Sequence, residues 1–227
     1  MKKVAVFDVD GTIFRSSLLI ELVETMISSG ALPQGIRGLY EKEQILWLDR
    51  KGDYQNYIDA VVDVFMNNLK GMHYGKFKDA VDETINKHKN RTYRYTRDLI
   101  KELKKKKYYL LAISASPKGI LDSFCEHLGF DKVYGKIYEL GPNDCFTGKI
   151  IDGHLIMNKA MVLQRAVKKE GLTLNDSFGV GDTEGDIPFL EMVQNPICFN
   201  PNGKLFKAAK RNGWKVVVER KDVVYEI

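Results

Sequence analysis

The chain has 227 residues, 44% of them hydrophobic, which is enough for a packed core and excludes a disordered protein. Its 35 Lys and Arg against 30 Asp and Glu leave a net charge of +5, favourable to anionic ligands but short of the basic stripe of a dedicated nucleic-acid binder. The three cysteines, Cys125, Cys145 and Cys198, form no CxxC pair, so neither a disulfide framework nor a zinc site is expected, and a reduced, cytoplasmic setting is.

After Met1-Lys2-Lys3, the apolar run Val4-Ala5-Val6-Phe7 is cut short by Asp8 and Asp10, too soon for a signal-peptide core. No stretch approaches the roughly 18 apolar residues of a membrane span. The same run favours strand and stops at Gly11, the pattern of a central strand buried on both faces. Leu18, Leu19, Leu22, Val23, Met26 and Ile27 then fall at helical spacing before Gly30, a C-terminal stop. Further helical patterns cover about 36–51, 54–69 and 76–89 with few strand signals, which predicts an all-helical insert over residues 16–90. A helix over about 92–106 ends in Lys104 to Lys107, a solvated terminus favoured by the macrodipole. From there the apolar runs Tyr109 to Ser114, Ser177 to Gly181, Ile197 to Asn200 and Trp214 to Val218 mostly alternate with helical patterns such as Lys159 to Glu170 and Lys204 to Asn212. Between Phe130 and Gly153, Gly and Asn punctuate short β-like runs, as in a hairpin at a sheet edge.

This alternation predicts an α/β fold with a parallel sheet, built from 1–15 and 91–227, with the helical segment 16–90 inserted after the first strand. Ligands in such sheets bind beyond the carboxyl ends of the strands. Three candidate clusters fall there: Asp8 to Thr12, Ser114 to Pro117, and Gly181 to Asp186. Side chains two apart on an extended segment point the same way, so Asp8 and Asp10 can face one site while Phe7 and Val9 pack behind them. Two carboxylates that close resist joint ionisation unless a cation is present. Gly181-Asp182-Thr183-Glu184-Gly185-Asp186 adds further acids at the end of another apolar strand, giving the oxygen-rich donor set that suits magnesium.

With these clusters in place, the chain resembles the haloacid dehalogenase-like superfamily over nearly its whole length, within the branch that holds the phosphoserine phosphatases. The resemblance implies a Rossmann-like core with a small helical cap and a magnesium-dependent phosphohydrolase. Asp8 of the DxDGT loop would attack phosphorus and form an aspartyl phosphate, and Asp10 would act as general acid and then general base. Asp8, the Asp10 carbonyl and Asp182 would hold Mg²⁺, with Asp186 outside the ligands or on metal-bound water. Ser114, after Leu110-Leu111-Ala112-Ile113, would bind phosphate oxygens together with the Ala115 N–H and the backbone at Gly11, Ser116 being its rival. Lys159 matches the basic residue of the third motif; a lysine in a first helical turn opposes the dipole, which an anion nearby would explain.

The substrate expected is a small phosphomonoester, with no nucleic-acid, membrane or obligate protein partner. Phosphoserine phosphatases carry a glutamate seven residues beyond the second Asp, and that count from Asp10 reaches Ser17, with Glu21 the nearest acid. Ser-Ala-Ser-Pro also stands where those enzymes favour Ser-Gly-Gly. Arg15, Arg37, Trp47, Arg50, Tyr54 and Tyr57 are candidates for a pocket, although Trp47 and the tyrosines suit a bundle core. His73, His88, His127 and His154 show no metal-ligand pairing. The same motifs would serve a phosphotransferase or mutase, or a phospholigand-binding module; Asp10 argues against a dehalogenase, which needs no acid there.

Overall fold

The structure, a computed structural model, describes residues 1–227 apart from 152 and 157 and the side chains of 154 and 155. His154 and the first residue of Met157-Asn158-Lys159 therefore lie outside the described parts. The run expected as the first strand is β1 (Lys2–Phe7), followed by α1 (Leu18–Ser28), a 3-10 turn at Gln34–Leu39, α2 (Glu41–Leu48), α3 (Tyr54–Leu69), α4 (Tyr74–His88) and α5 (Arg94–Lys105). The remainder runs β2 (Tyr109–Pro117), α6 (Lys118–Leu128), β3 (Lys132–Leu140), β4 (Phe146–Ile151), α7 (Gly153–Ile156), α8 (Lys159–Glu170), β5 (Leu172–Gly181), α9 (Ile187–Leu190), β6 (Asn195–Phe199), α10 (Gly203–Asn212), β7 (Lys215–Arg220) and β8 (Val223–Glu226).

The strands form one eight-stranded sheet in the order β4-β3-β2-β1-β5-β6-β7-β8. The six inner strands are parallel, and β4 and β8 pair antiparallel at the two edges. β1 lies centrally because both its faces are apolar. Val4 and Val6 join Leu111, Ile113 and Cys198 against Leu163 of α8 and Leu205 of α10. Ala5 and Phe7 face the other way with Leu110, Ala112 and Phe199, against Leu103 of α5 and Phe124 of α6. That second cluster continues unbroken into Leu22 and Met26 of α1, Phe65 of α3 and Phe77 of α4, so the insert shares its core with one face of the sheet. Helix ends follow local chemistry: Asn158 and Asn202 cap α8 and α10 through Met161 and Leu205 N–H at 3.1 and 3.0 Å, and Gly171 and Gly213 close the same helices in the left-handed conformation.

Three details differ from the sequence expectation. The helix expected over 36–51 breaks at Tyr40, because Pro33, Gly35 and Gly38 favour a tight 3-10 turn over a continuous helix. The Phe130 to Gly153 region is a hairpin, but its first arm, β3, is a parallel strand of the main sheet beside β2. The final strand β8 gave too short a signal to be expected and is set by its turn at Lys221, where φ is 55°. The chain leaves for the insert and returns from it side by side, with Arg15 N–H donating to the Arg91 carbonyl and Tyr93 N–H to that of Ile13, both at 2.9 Å. Among the described residues no helix is long and apolar enough to cross a membrane.

Candidate active site

The loop after β1 is anchored before it turns. Asp8 N–H donates to the Val180 carbonyl of β5 at 2.9 Å, which places its carboxylate, almost wholly buried, at the centre of the sheet's carboxyl edge. Gly11 then bends the chain at φ 79°, and a Cβ there would stand 2.2 Å from Asp182 Oδ2, so only glycine lets the two acidic loops meet. Thr12 fastens the contact by donating its hydroxyl to Asp182 Oδ1 at 3.2 Å.

Asp8, Asp182 and Asp186 each offer a carboxylate oxygen within 4.8 Å of the others. Lys159, at the start of α8, reaches into this cluster and donates to Asp8 Oδ1 and Asp186 Oδ1, both at 2.6 Å. Its position against the helix dipole is thus compensated by two buried carboxylates. Burial pushes the Asp8 carboxyl up to about 7, with Lys159 opposing and Asp186 and Asp10 reinforcing the shift. Asp182 is raised as well, by burial and then by Asp8 and Asp186. Lys159 is held above its ordinary value by Asp186 and Asp8 in spite of its burial.

The three acids are not equivalent. Asp186 is fully buried, and its second oxygen accepts the N–H groups of Asp182 and Thr183, both at 3.0 Å. Its acceptor capacity is therefore committed to shaping the loop and holding Lys159. Asp8 Oδ2 and Asp182 Oδ2 take no hydrogen bond among the described residues, and these two carboxylates, raised first by burial and further by neighbouring acids, carry the oxygens that a divalent cation would relieve.

Asp10 lies in a different field. Its Oδ1 accepts the Leu18 N–H at 2.6 Å, so the carboxylate caps α1 in place of Ser17, whose own side chain makes no cap. Its Oδ2 accepts two hydroxyls, from Ser114 at 2.6 Å and from Ser116 at 2.8 Å. Ser116 is thus part of the site. The rule that admitted Asp8 and Asp10, two residues apart on an extended chain, also admits Ser114 and Ser116, because β2 runs on to Pro117. Ala115 between them faces outward.

Of the pocket candidates, Tyr54 is one on which the charges of Asp10 and Asp182 act. Burial and then the charges of Asp10 and Asp182 raise its phenol well above the ordinary range, and its ring packs on Trp47 at 5.2 Å. Arg50 lies over Trp47 at 5.5 Å and Arg15 over Tyr93 at 5.8 Å. Tyr57 and Arg37 are structural: Tyr57 is buried under Gln44, and Arg37 pairs with Glu24, which also accepts the Tyr40 hydroxyl at 2.5 Å. Glu21 is engaged by Arg91 at 2.7 Å and His88 at 3.4 Å, beside the paired crossings of the chain. His73 caps α4 through Gly75 N–H. Burial raises the Cys198 thiol to about 12 and the Cys125 thiol further, as expected of packed, inert cysteines.

Over 216 residues the chain is 24% identical to the inhibition of morphological differentiation protein of Streptomyces azureus, covering 94% of this chain and 77% of that one. A protein of unknown function from Bordetella pertussis Tohama I has the same fold at a TM-score of 0.76 and 17% identity, over 95% of this chain and 98% of that. A phospho-aspartyl intermediate analogue of phosphoserine phosphatase does so at 0.63 and 20% identity, over 97% and 95%. The sequence pattern of the haloacid dehalogenase-like hydrolases matches residues 5–191, a span that runs from β1 through the Asp182 loop, and the chain belongs to that family.

Proposed function

We propose that the protein is a magnesium-dependent phosphatase that acts on a small phosphomonoester through an aspartyl phosphate on Asp8. One observation carries this reading: two carboxylates from a single loop stand in opposite environments, Asp8 against Lys159 and the acid cluster, Asp10 against a helix N-terminus and two hydroxyls. A nucleophile and a proton carrier require such a separation of roles. An Asp8 oxygen attacks phosphorus as the bond to the leaving oxygen breaks and Asp10 delivers its proton to that oxygen. Asp10 then takes a proton from the water that attacks the phosphoryl group, which frees phosphate and restores Asp8.

Lys159 orients Asp8 and faces the charge that spreads over the phosphoryl oxygens, and Ser114 with the Ala115 N–H would hold those oxygens from β2. Asp8, Asp182 and the Asp10 carbonyl would hold the magnesium, which supplies positive charge to the carboxylates and the phosphoryl group when bound. Residues 16–90 would act as the cap: the paired crossings at Arg15/Arg91 and Ile13/Tyr93 support a hinge, and the charges of Asp10 and Asp182 act on Tyr54 of α3.

Hydrolysis of p-nitrophenyl phosphate with and without magnesium tests the reading. Turnover is expected to require the metal and to fall at least about 10³-fold in Asp8→Asn. Unchanged turnover in that variant sinks the covalent route; a folded wild type that binds the ester without turning it over supports a binding module instead. Asp10→Asn is expected to lose about 10²–10⁴-fold in rate while binding magnesium normally by calorimetry, since only its side chain changes.

A further inference from the structure

Where the insert meets the carboxyl edge of the sheet, a crevice of about 660 Å³ is lined by Arg50, just beyond α2, and by Asn200, Pro201, Phe206, Glu219 and Arg220 of the core. It adjoins the acidic loop after β5. Asn202 N–H donates to the Asp182 carbonyl at 2.9 Å, and Pro201 precedes Asn202, so the Pro201 Cα lies within about 6 Å of that oxygen. On the insert side Arg50 lies over the Trp47 ring at 5.5 Å, and Trp47 packs on Tyr54 at 5.2 Å. The crevice therefore brings an arginine of the insert and an arginine of the core to one opening beside the Asp182 loop.

The charge left in this crevice is positive. Its lining acid, Glu219, accepts the N–H groups of Arg94 and Tyr95 at 3.1 and 2.8 Å and so is committed to the start of α5. Asp49, next to Arg50 in the chain, pairs with Lys51 at 3.5 Å. Neither Arg50 nor Arg220 forms an ion pair among the described residues, and β4, which leads into residue 152, lies at the opposite edge of the sheet from β7. Two guanidinium groups at one opening repel each other, an anion between them removes that repulsion, and their planar forks match a carboxylate or a phosphate. Pro201 and Phe206 supply an apolar wall along which a carbon chain can lie. The acids of α1 that could instead receive a cation are engaged, Glu21 by Arg91 at 2.7 Å and Glu24 by Arg37.

We propose that Arg50 and Arg220 together bind a second anionic group, a carboxylate or a further phosphate, carried by the leaving part of the substrate, so that the crevice sets the substrate class and the bound anion bridges insert and core. The proposal rests on the phosphatase reading above. It is tested by kcat/KM for alkyl phosphates of graded chain length ending in a carboxylate, in a second phosphate, or in a neutral amide of matched length. At one or more lengths the wild type is expected to prefer an anionic ester by about tenfold or more over its amide, mostly through KM, and the series preferred identifies the group. In Arg50→Met, and separately in Arg220→Met, that preference should fall to within about threefold, because each arginine supplies half of the site. Arg50→Lys and Arg220→Lys keep the charge without the fork and should retain an intermediate preference. Glutamine at either position replaces a methionine variant that shows no cooperative thermal transition. A wild type that turns over the esters without preferring either anionic series at any length, or a preference retained in either neutral single variant, overturns the shared site. Absence of turnover of every ester by the wild type overturns the phosphatase reading itself and the proposal with it.

Discussion

Asp8 and Asp10 are two residues apart and chemically identical, and their neighbours alone separate them. Asp8 is raised from 3.8 to about 7 by burial, against the pull of Lys159. A carboxyl whose folded value exceeds its unfolded one contributes stability that is full below about 3.8 and is lost as pH rises through about 7, because the native state binds the extra proton. Magnesium favours the ionised form, so its stabilising effect should grow across the same window. Thermal melting with and without magnesium should show a larger shift at about pH 8 than at about pH 5; equal shifts would contradict a metal held on Asp8. Lys159 is the only lysine or arginine found paired with these acids among the described residues. Lys159→Ala should destabilise the metal-free protein by about 3–5 kcal/mol at pH 8 in urea titrations, since it leaves buried carboxylates without their counter-charge.

At the scale of elements, the site is made by the meeting of the loops after β1 and β5, and two glycines permit it. A Cβ at Gly181 would stand 2.5 Å from Asp186 Cβ, as one at Gly11 would collide with Asp182. Gly181→Ala is therefore expected to displace Asp186 and, through it, Lys159. The loss should be about 10²-fold or more in kcat with the far-UV circular dichroism retained, and a fully active variant would show that Asp186 does not position the lysine. The helix patterns of α1 and α3 were legible because each carries a one-sided apolar stripe. α2 was blurred because it has no buried residue, so nothing in its pattern marks where the preceding 3-10 turn stops. Ser116 was legible only as a rival to Ser114, because strand length cannot be read to the residue and both serines prove to face Asp10.

At the scale of the whole molecule, one hydrophobic cluster joins α1, α3 and α4 to the sheet, so the insert and the core should unfold together. Trp47 lies in α2 and Trp214 just before β7, and variants keeping one or the other report the two parts separately. Their urea midpoints by fluorescence should coincide; separated midpoints would show that the shared cluster does not couple them. The sequence by itself determined the α/β alternation, the helical insert, and the acidic loops at strand ends, because these rest on local periodicity and on residues close along the chain. It also carried the family resemblance through Asp8, Asp10, Ser114, Lys159, Asp182 and Asp186. Only the tertiary structure decided which partners each acid keeps: Asp10 capping α1, Asp186 committed to Lys159 and two backbone N–H groups, and Glu21 drawn away to Arg91. Such outcomes depend on contacts between residues as distant in the chain as Thr12 and Asp182, 170 positions apart, and on how far burial removes each charge from water, neither of which local pattern encodes.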